Sequence, residues 1–590
     1  MKPKSFFLLF LTLLIVNSSL LIATVRYVSK TGSSTPPYTN WQTAADSIQK
    51  CINLCVDGDT IYVANGVYKE NLVINTAISL IGSSMDSTVI DGRGMADYSI
   101  NIKRDATIEN FNLFGKAYGM GICIYSVSSN FPVITVRNCN IREAAGGIAS
   151  YGLNAENVIL KKLHGGINPA GLPNSNNLIS NCNILVEGDY ATGISLGGPT
   201  YANYEINNNI ILFSGSANPD NGISIGAPRR VIIKNNLISG FADNIFIDSV
   251  PDTVFIKNNI LCYHTYGLGS ISTSGNRVIT NSLILSNNGT GIKHSGSGFV
   301  RSNYNMYWKN QRNLQGVTMG DSDIVADPMF VNDTIPTANS VYDFHLQAYS
   351  PAIDKGDPNI LDLDGSRSDI GMYGGPFGET YTYQDLAPLA PRNLSAVVDS
   401  STILVKWKRN TEADTAFYKV YRDTVSGFTI DSTKLVSSSS DSFFVQANPN
   451  INIRYVYKIT CVDNQGNESQ PSTELVVNVT DVEDYPQLTT NYLLYQNYPN
   501  PFNPSTKIGY QLKERAYVKL MVYDIKGELV SVLVNKEQNA GYYEVDFSVG
   551  NHQSSAGNSI ASGIYLYRIE VIGEGRIPVY TEMKKMILIK

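Results

Sequence analysis

A six-residue motif recurs through the middle of the chain: an apolar residue, any residue, asparagine, any two residues, and then leucine, isoleucine or methionine. The spacing between asparagines runs from 19 residues, between Asn138 and Asn157, to 28, between Asn110 and Asn138. The Asn157 copy is weak, and the last copy has Arg301 at the apolar position. A repeat of this period indicates a solenoid. Its asparagines are Asn110, Asn138, Asn157, Asn181, Asn208, Asn235, Asn258, Asn281 and Asn303.

A second mark, most often Gly-Ile, follows each asparagine by about 10–15 residues. Each coil therefore holds at least two short strands separated by a variable turn. No helical period and no leucine-rich ladder fits, so stacked parallel strands with Ile, Val and Leu columns inside are favoured. We expect the asparagines to stack at one bend, each amide donating to one neighbouring coil and accepting from the other. The general rule for parallel crossovers predicts a right-handed winding.

Residues 26–380 resemble the right-handed parallel β-helix superfamily that includes pectate lyases. The segment 58–68, GDTIYVANGVY, resembles the first coil of that family. The resemblance implies a short cap helix around Ala44 to Cys55 and a C-terminal cap after Asp327. It is specific for fold only, because this superfamily hosts many chemistries.

Two smaller β domains are predicted after the solenoid. Residues 386–480 resemble a fibronectin type III domain, with Trp407 expected in its core. Residues 481–491 form a polar linker. Residues 492–590 resemble the type A C-terminal sorting domain of type IX secretion cargo, through the segments YPNPFNPST at 498–506, ASGIYLYR at 561–568 and KKMILIK at 584–590. The alternative is a plain immunoglobulin-like adhesion domain. The predicted fold class is therefore all-β: a right-handed parallel β-helix solenoid followed by two immunoglobulin-like β-sandwiches.

The N-terminus predicts export. Lys2 and Lys4 precede an apolar run from Phe6 to Val16, as in a secretory signal peptide of residues 1–23. The alternative is an N-terminal membrane anchor. No later stretch is apolar for about 18 residues, so no transmembrane segment is expected in the mature chain. We therefore expect a secreted protein, extracellular or attached to the outer-membrane surface. The sorting-domain resemblance implies the type IX secretion machinery as a partner, and outer-membrane surface polysaccharide after sorting.

Charge excludes one class of partner. The chain has 45 Lys and Arg against 51 Asp and Glu, a formal net charge of −6, so no nucleic-acid partner is expected. The seven cysteines are scattered and odd in number, which predicts no disulfide framework.

Candidate catalytic residues lie in the variable turns before the Gly-Ile marks. Asp189, Asp220 and Asp243, with His264 as the next neighbour, are expected along one edge at separations that suit an acid and a base or nucleophile of a glycosidase. The same turns carry Glu143 and His164, and Lys161 with Lys162 is the nearest basic pair that a lyase could use. The alternative is that these aspartates bind backbone in turns and face water. Five tyrosines could stack on sugar rings: Tyr118, Tyr190, Tyr201, Tyr263 and Tyr266.

A second acidic cluster follows the solenoid. Asp362, Asp364 and Asp369 surround a glycine and could bind a hard cation, with Ca²⁺ the expected ion. The alternative is a set of Asx turns, since the full EF-hand spacing is absent. No other cofactor is expected.

Two functions remain open from the sequence. One is a non-catalytic surface protein whose solenoid binds extracellular polysaccharide. The other is a polysaccharide lyase or glycoside hydrolase that uses the acidic residues along one edge of the β-helix. Known signatures of β-helix enzymes are absent, which favours binding.

Overall fold

The computed structural model describes residues 23–589 with fifteen gaps in that range. The gaps are 94–96, 117–121, 173, 198–201, 216–217, 227, 249–253, 264–268, 286, 338, 399–401, 451, 480–491, 549–560 and 574–577. Residues 1–22 of the predicted signal peptide, the predicted linker and His264 therefore lie outside the described residues, as do Tyr118, Tyr201 and Tyr266. Within the described part, no helix has both the length and the apolar character needed to span a bilayer.

The predicted parallel solenoid is confirmed. Each turn contributes strands to three columns, which we call sheets 1, 2 and 3, and successive turns pair in parallel. Sheets 1 and 2 are continuous, because Val133–Arg142 and Gly152–Leu163 each run through the bend between them. The interior is filled by stacked aliphatic side chains. The right-handed winding stays a prediction.

The strand bounds follow the repeat. Besides those two shared strands, sheet 1 contains Val25–Val28, Thr60–Val63, Ile78–Gly82, Ala106–Glu109, Asn176–Ser180, Asn203–Asn207, Arg230–Lys234, Val254–Lys257, Arg277–Thr280 and Val300–Asn303. Sheet 2 adds Gly66–Tyr68, Thr88–Asp91, Asn112–Phe114, Asn183–Val186, Ile210–Phe213, Leu237–Ser239, Ile260–Cys262, Leu283–Leu285, Met306–Trp308 and Ile324–Val325. Sheet 3 contains Leu72–Ile74, Tyr98–Ile102, Ile122–Ser126, Gly146–Ser150, Gly165–Pro169, Thr192–Leu196, Asn221–Ile225, Asp243–Ile247, Ile271–Thr273, Thr290–His294 and Arg312–Gln315.

The recurring asparagine occupies the bend between sheets 1 and 2. Eight of the nine predicted asparagines, from Asn110 to Asn281, have φ between 49° and 63°. In the ninth turn this left-handed position belongs to Tyr304, with φ 58°, so the predicted Asn303 is one residue out of register. Asparagine tolerates the left-handed region better than most residues, and this backbone requirement explains why it recurs.

The expected amide ladder is formed mainly by the residue after that asparagine. The Asn209 amide donates to Asn236 Oδ1 at 2.9 Å, and the Asn236 amide donates to Asn259 Oδ1 at 3.0 Å. Ser282 and Asn305 continue the series through backbone N–H donors. The predicted bond between motif asparagines forms at two pairs, from Asn157 to Asn138 at 2.7 Å and from Asn281 to Asn258 at 3.4 Å. Elsewhere in the late turns the following residue takes this role, because the left-handed backbone directs its side chain into the buried bend.

The Gly-Ile mark reflects close approach between coils. A Cβ added to Gly166 would come within 2.1 Å of Gly193 O, and one added to Gly193 would come within 2.6 Å of Gly222 O. A side chain at this position would collide with the next turn. The recurrence of glycine in this mark is thus a packing requirement.

One short helix lies at the start of the solenoid. Ile48–Ile52 begins after Ser47, whose Oγ accepts the Lys50 N–H at 3.3 Å, and it buries Ile48, Cys51 and Ile52 in the solenoid core. Such N-terminal side-chain caps satisfy one of the free N–H groups of the first turn.

After its last turn the chain folds back along the outside of the solenoid. Phe330–Asn332 and Asp343–Leu346 pair antiparallel and cover the apolar outer face of sheet 2. Residues 354–378, the return segment, then run along the asparagine bends in reverse order. Asn281 accepts from Asp357 N at 2.7 Å, Asn235 donates to Gly374 O at 2.7 Å, and Asn208 donates to Phe377 O at 3.0 Å. The predicted C-terminal cap segment therefore covers a side of the solenoid.

Two antiparallel β domains complete the chain, each with a three-stranded and a four-stranded sheet. The first has Arg392–Val398, Thr402–Lys408 and Phe443–Ala447 in one sheet, and Leu435–Ser439, Thr415–Asp423, Arg454–Asp463 and Leu475–Asn478 in the other. The second has Leu493–Leu494, Ser505–Leu512 and Gly541–Ser548 in one sheet, and Leu529–Gln538, Ala516–Asp524, Gly563–Ile572 and Pro578–Leu588 in the other. The all-β fold class is confirmed.

Candidate functional site

The three predicted catalytic aspartates do not lie in one row. Asp243 pairs in register with Asn221, so Asp220 lies one residue before the start of the neighbouring strand Asn221–Ile225. Asp243 is buried, and its Oδ1 accepts from Gly269 N at 2.9 Å and from Ser272 Oγ at 2.8 Å.

Asp189 and Asp220 are exposed on the same side of the solenoid. Asp189 Oδ1 accepts from Asn218 N at 3.0 Å, and Asp220 Oδ2 accepts from Thr192 Oγ1 at 3.4 Å. Each of these contacts joins one turn of the solenoid to another. The catalytic role of Asp189, Asp220, Asp243 and His264 stays a prediction.

The other polar groups of this edge are separate from one another. Glu143 pairs with Arg93 at 2.9 Å, and the ring of His164 packs against Gly188. Tyr190 is exposed, while the Tyr263 hydroxyl donates to Asp333 O at 2.8 Å. Lys161 is exposed, and the side chain of Lys162 lies outside the described part.

The predicted calcium aspartates hold backbone together. Asp362 accepts from Asp369 N at 3.0 Å and from Gly375 N, and Asp369 accepts from Asp354 N at 3.0 Å and from the Tyr383 hydroxyl at 2.9 Å. Burial raises the pKa of Asp362 and raises that of Asp369 to about 6.

Asp364 is exposed and accepts from Ser366 N and Oγ. In the described part of the chain, the one group of three acidic, His or Cys ligand atoms that all lie within 4.8 Å of one another is elsewhere. Calcium binding by Asp362, Asp364 and Asp369 stays a prediction.

A polar groove of about 250 Å³ lies on the outer face of sheet 1. Its outward side chains come from successive turns, because alternate residues of each strand point to opposite faces. They are Asn154, Asn176, Leu178, Asn203, Glu205, Arg230 and Ile232, with Asn177 and Tyr204 beneath. The volume is below the 300–1,000 Å³ that is usual for enclosed small-molecule pockets, so an open surface for part of a longer ligand fits better.

The groove is held in place from beneath. Asn177 Oδ1 accepts from Leu153 N at 2.9 Å, and its amide donates to Asn203 O at 3.1 Å. The buried hydroxyl of Tyr204 lies 3.2 Å from Pro169 O and 3.3 Å from Gly197 O. These bonds fix the backbone of two adjacent turns, so the outward side chains are presented from a rigid sheet.

The charged side chains of the groove differ in their partners. Glu205 pairs with Lys234 at 2.6 Å, and this ammonium holds the pKa of Glu205 below its ordinary value. Arg230 is exposed and lies 5.7 Å from the ring centroid of Phe255, and within the described residues its guanidinium has no ion pair. Asn203 donates to Asn176 Oδ1 at 3.0 Å, which leaves the second N–H of Asn203 and the amide N–H groups of Asn176 facing the groove. The groove therefore offers one cation and several amide groups to a ligand.

The repeat motif does not mark this groove. Its residues occupy the variable positions of the repeat, such as the residue three before the apolar position in the strands of Asn203 and Arg230. A column of these variable positions, written turn below turn, would have shown polar residues clustered in the turns of Asn154 to Arg230.

The fold and groove define a parallel β-solenoid with a polar face on sheet 1, followed by two antiparallel β domains. No family model matches the sequence. Amylopullulanases of Thermoanaerobacterium saccharolyticum and Thermoanaerobacterium thermosulfurigenes each share 33% identity over 94 residues, which is 16% of this chain. The match spans 7% and 5% of the length of those two relatives.

Among solved structures, pectate lyase Pel9A shares 17% identity and aligns with 60% of this chain and 97% of its own, with a TM-score of 0.34. Dimeric latent PorU from Porphyromonas gingivalis shares 16% identity over 34% of this chain and 20% of its own, with a TM-score of 0.19. Scores at this level carry no information about activity.

Proposed function

We propose that the protein binds an extended extracellular polysaccharide along the outer face of sheet 1, centred on the groove between Asn154 and Arg230. The observation that carries this proposal is the alignment of outward amide and guanidinium groups on successive turns, about 4.8 Å apart, over a rigid sheet. Amide groups both donate to and accept from sugar hydroxyls.

We infer an acidic polysaccharide, because the Arg230 guanidinium forms no ion pair among the described residues. Its charge lowers the pKa of Glu205 only as a smaller contribution beside that of Lys234. A guanidinium binds a carboxylate through two parallel hydrogen bonds, so Arg230 would select sugar units that carry one. The acidic groove residue, Glu205, is already neutralised by Lys234 and would not repel such a ligand.

The test compares two arginines of the same sheet face. Arg230→Gln should weaken binding of an acidic polysaccharide at least tenfold in calorimetric titration, which corresponds to about 1.4 kcal/mol. Arg301→Gln removes the same charge from the same face three strands further along and should leave binding unchanged. Equal losses in both variants would show a non-specific charge effect and refute the groove. So would failure of the wild-type chain to bind any member of a panel of neutral and acidic polysaccharides.

The alternative is a polysaccharide lyase or glycoside hydrolase that acts at the edge of Asp189, Asp220 and Asp243. Asp220 supports it, because this carboxylate is exposed and its one side-chain hydrogen bond among the described residues, from Thr192 Oγ1, is long at 3.4 Å. Release of unsaturated or reducing ends by the wild-type chain, abolished in the Asp220→Asn variant, would establish this activity. Unchanged release in that variant would exclude Asp220.

We propose that residues 386–480 are a fibronectin type III domain. The arrangement of seven strands in sheets of three and four supports this, as does Trp407, which is buried with its ring 5.3 Å from that of Tyr418.

We propose that residues 492–590 are a type IX sorting domain and that the protein is exported through a signal peptide. The contacts of the segment 498–506 support this proposal. Phe502 is buried, its N–H donates to Ile587 O at 2.9 Å, and Ile589 N donates to Phe502 O at 3.0 Å. The two most distinctive segments of the resemblance thus lie side by side. Deletion of residues 492–590 should leave the protein in the periplasm, and unchanged surface display of the truncated chain would refute the assignment.

A further inference from the structure

Three aspartates meet where the solenoid joins the first β domain. Asp385 lies in the connector after the return segment, Asp414 precedes the strand Thr415–Asp423, and Asp463 ends the strand Arg454–Asp463. Thr415 pairs with Asp463, so both aspartates of the domain lie at the same end of its sheet. One carboxylate oxygen from each of the three lies within 4.8 Å of the others.

The three carboxylates differ in how many hydrogen bonds they accept. Asp463 accepts from Gln465 N at 3.0 Å and from Asn467 N at 2.8 Å. The Asn467 amide donates to Asp463 Oδ2 at 2.9 Å and to Asp385 Oδ1 at 3.1 Å.

Asp414 is different from these two. It is only 5% exposed, and among the described residues no other residue donates a hydrogen bond to its carboxylate. Its own backbone N–H is the one donor that lowers its pKa. A nearly buried carboxylate with so few donors is poorly compensated for the water that it has lost, which is costly.

The charges of the site are all of one sign. Burial raises the pKa of Asp414, and the charges of Asp463, Glu412 and Asp385 raise it further. In the described part of the chain, none of these four acids forms an ion pair with Lys, Arg or His. The donors at the site are neutral amides, so the repulsion between the carboxylates has no protein counter-charge.

We propose that Asp385, Asp414 and Asp463 bind a Ca²⁺ ion at this junction. Three converging carboxylates supply the hard oxygen ligands that this ion takes, and water can complete its six to eight positions. The irregular set, drawn from a connector and two strand ends, suits the flexible geometry of Ca²⁺ better than the strict octahedron of Mg²⁺.

The ion would tie the solenoid to the first β domain. Asp385 belongs to the connector, while Asp414 and Asp463 belong to the domain, so one ion holds both. Neighbouring contacts already join the two parts: Thr411 Oγ1 donates to Asp327 Oδ2 at 2.5 Å, and Ala413 N donates to Met329 Sδ at 3.3 Å. With the ion bound, the domain is expected to hold one orientation on the solenoid. This proposal is independent of polysaccharide binding.

The test titrates Ca²⁺ into the full-length chain after treatment with EDTA. The wild-type chain should bind one Ca²⁺ at this site, and the melting transition of the first β domain should rise with Ca²⁺ concentration, because the ion binds the folded state. Asp414→Asn should abolish this binding and the Ca²⁺-dependent shift. Without Ca²⁺, this variant should melt at or above the wild-type temperature, because the substitution removes one of the repelling charges.

Three further variants distinguish Ca²⁺ binding at this junction from binding elsewhere in the chain. Asp385→Asn changes an exposed connector residue, should fold normally, and should weaken binding at least tenfold. Asp441→Asn, an exposed change in the same domain, and Asp364→Asn, in the acidic cluster of the return segment, should bind as the wild type does.

Absence of calcium-dependent heat in the wild-type chain would overturn the proposal, as would equal affinity in the wild-type and Asp385→Asn chains. Loss of binding in Asp364→Asn would also overturn it, since the ion would then belong to the other cluster.

Discussion

The early and late turns of the solenoid share one backbone and fill the same bend differently. In the early turns the residue after the bend asparagine is apolar or a thiol: Phe111, Cys139, Val158 and Cys182. In the late turns the same position holds a polar side chain: Asn209, Asn236, Asn259, Ser282 and Asn305. Among the described residues, the return segment bonds to the bend asparagines of the late turns. The comparison shows that the left-handed bend fixes the path of the chain, while the residue after it decides whether the interior is held by packing or by hydrogen bonds.

The largest difference in stability between the early and late turns should come from the residue that follows the bend asparagine. Asn236→Val removes an amide that donates to Ile206 O and Asn259 Oδ1 and accepts from Asn209, all of them buried. The free energy of unfolding of the solenoid should fall by about 3 kcal/mol or more, since several buried groups lose their partner.

The matched change in the early half is Cys139→Val, which exchanges one small buried hydrophobe for another and should cost less than about 1.5 kcal/mol. Calorimetry of the solenoid transition measures both. Equal losses would show that the two halves of the solenoid are held in the same way.

The return segment should make the late half sensitive to pH. Burial raises the pKa of Asp369 to about 6, above its ordinary 3.8, so the folded chain binds this proton more tightly than the unfolded chain does. The resulting stability is full below about pH 4 and is lost as the pH rises through 6, on the order of 1–3 kcal/mol.

Asp369→Asn should flatten the melting temperature of the solenoid between pH 5 and 7. Asp364→Asn, at an exposed turn, should leave the wild-type slope in place. A wild-type chain whose melting temperature rises across this range would contradict the assignment to Asp369.

Substitution of two bend asparagines should show a smaller difference in the free energy of unfolding. Asn258→Gly keeps the left-handed backbone and removes an amide that donates to Ser368 Oγ and Asp369 O at 3.1 Å each. We expect a cost of about 1–2 kcal/mol. Asn110→Gly, in a turn that the return segment does not reach, should be within about 0.5 kcal/mol of the wild type, because glycine adopts this backbone freely. Denaturant unfolding compares the two, and equal costs would show that the return segment adds nothing to the bends that it contacts.

The solenoid could be predicted from the sequence because each repeat is a short motif that recurs every 19–28 residues. The motif placed eight bends correctly, and it failed at the ninth because Tyr304, which no asparagine pattern marks, takes the left-handed position. The ladder residue was missed because a left-handed bend reverses which of two neighbouring side chains points inward, and spacing alone does not show this.

The contacts of the return segment and the acidic site at the junction could not be predicted from the sequence, for another reason. Asn235 and Gly374 are 139 residues apart, and no local pattern joins them. The groove stayed hidden because its residues occupy the positions that the motif leaves free. Position within a coil was therefore predictable, whereas contacts between the solenoid and what lies on it were not.

The most direct test of the proposed function is a crystal structure of the chain with an acidic oligosaccharide that it binds. We expect the sugar to lie across the strands of sheet 1, with a carboxylate at the Arg230 guanidinium and hydroxyls at the amides of Asn176 and Asn203. A sugar bound at the edge of Asp189, Asp220 and Asp243, with sheet 1 bare, would contradict it.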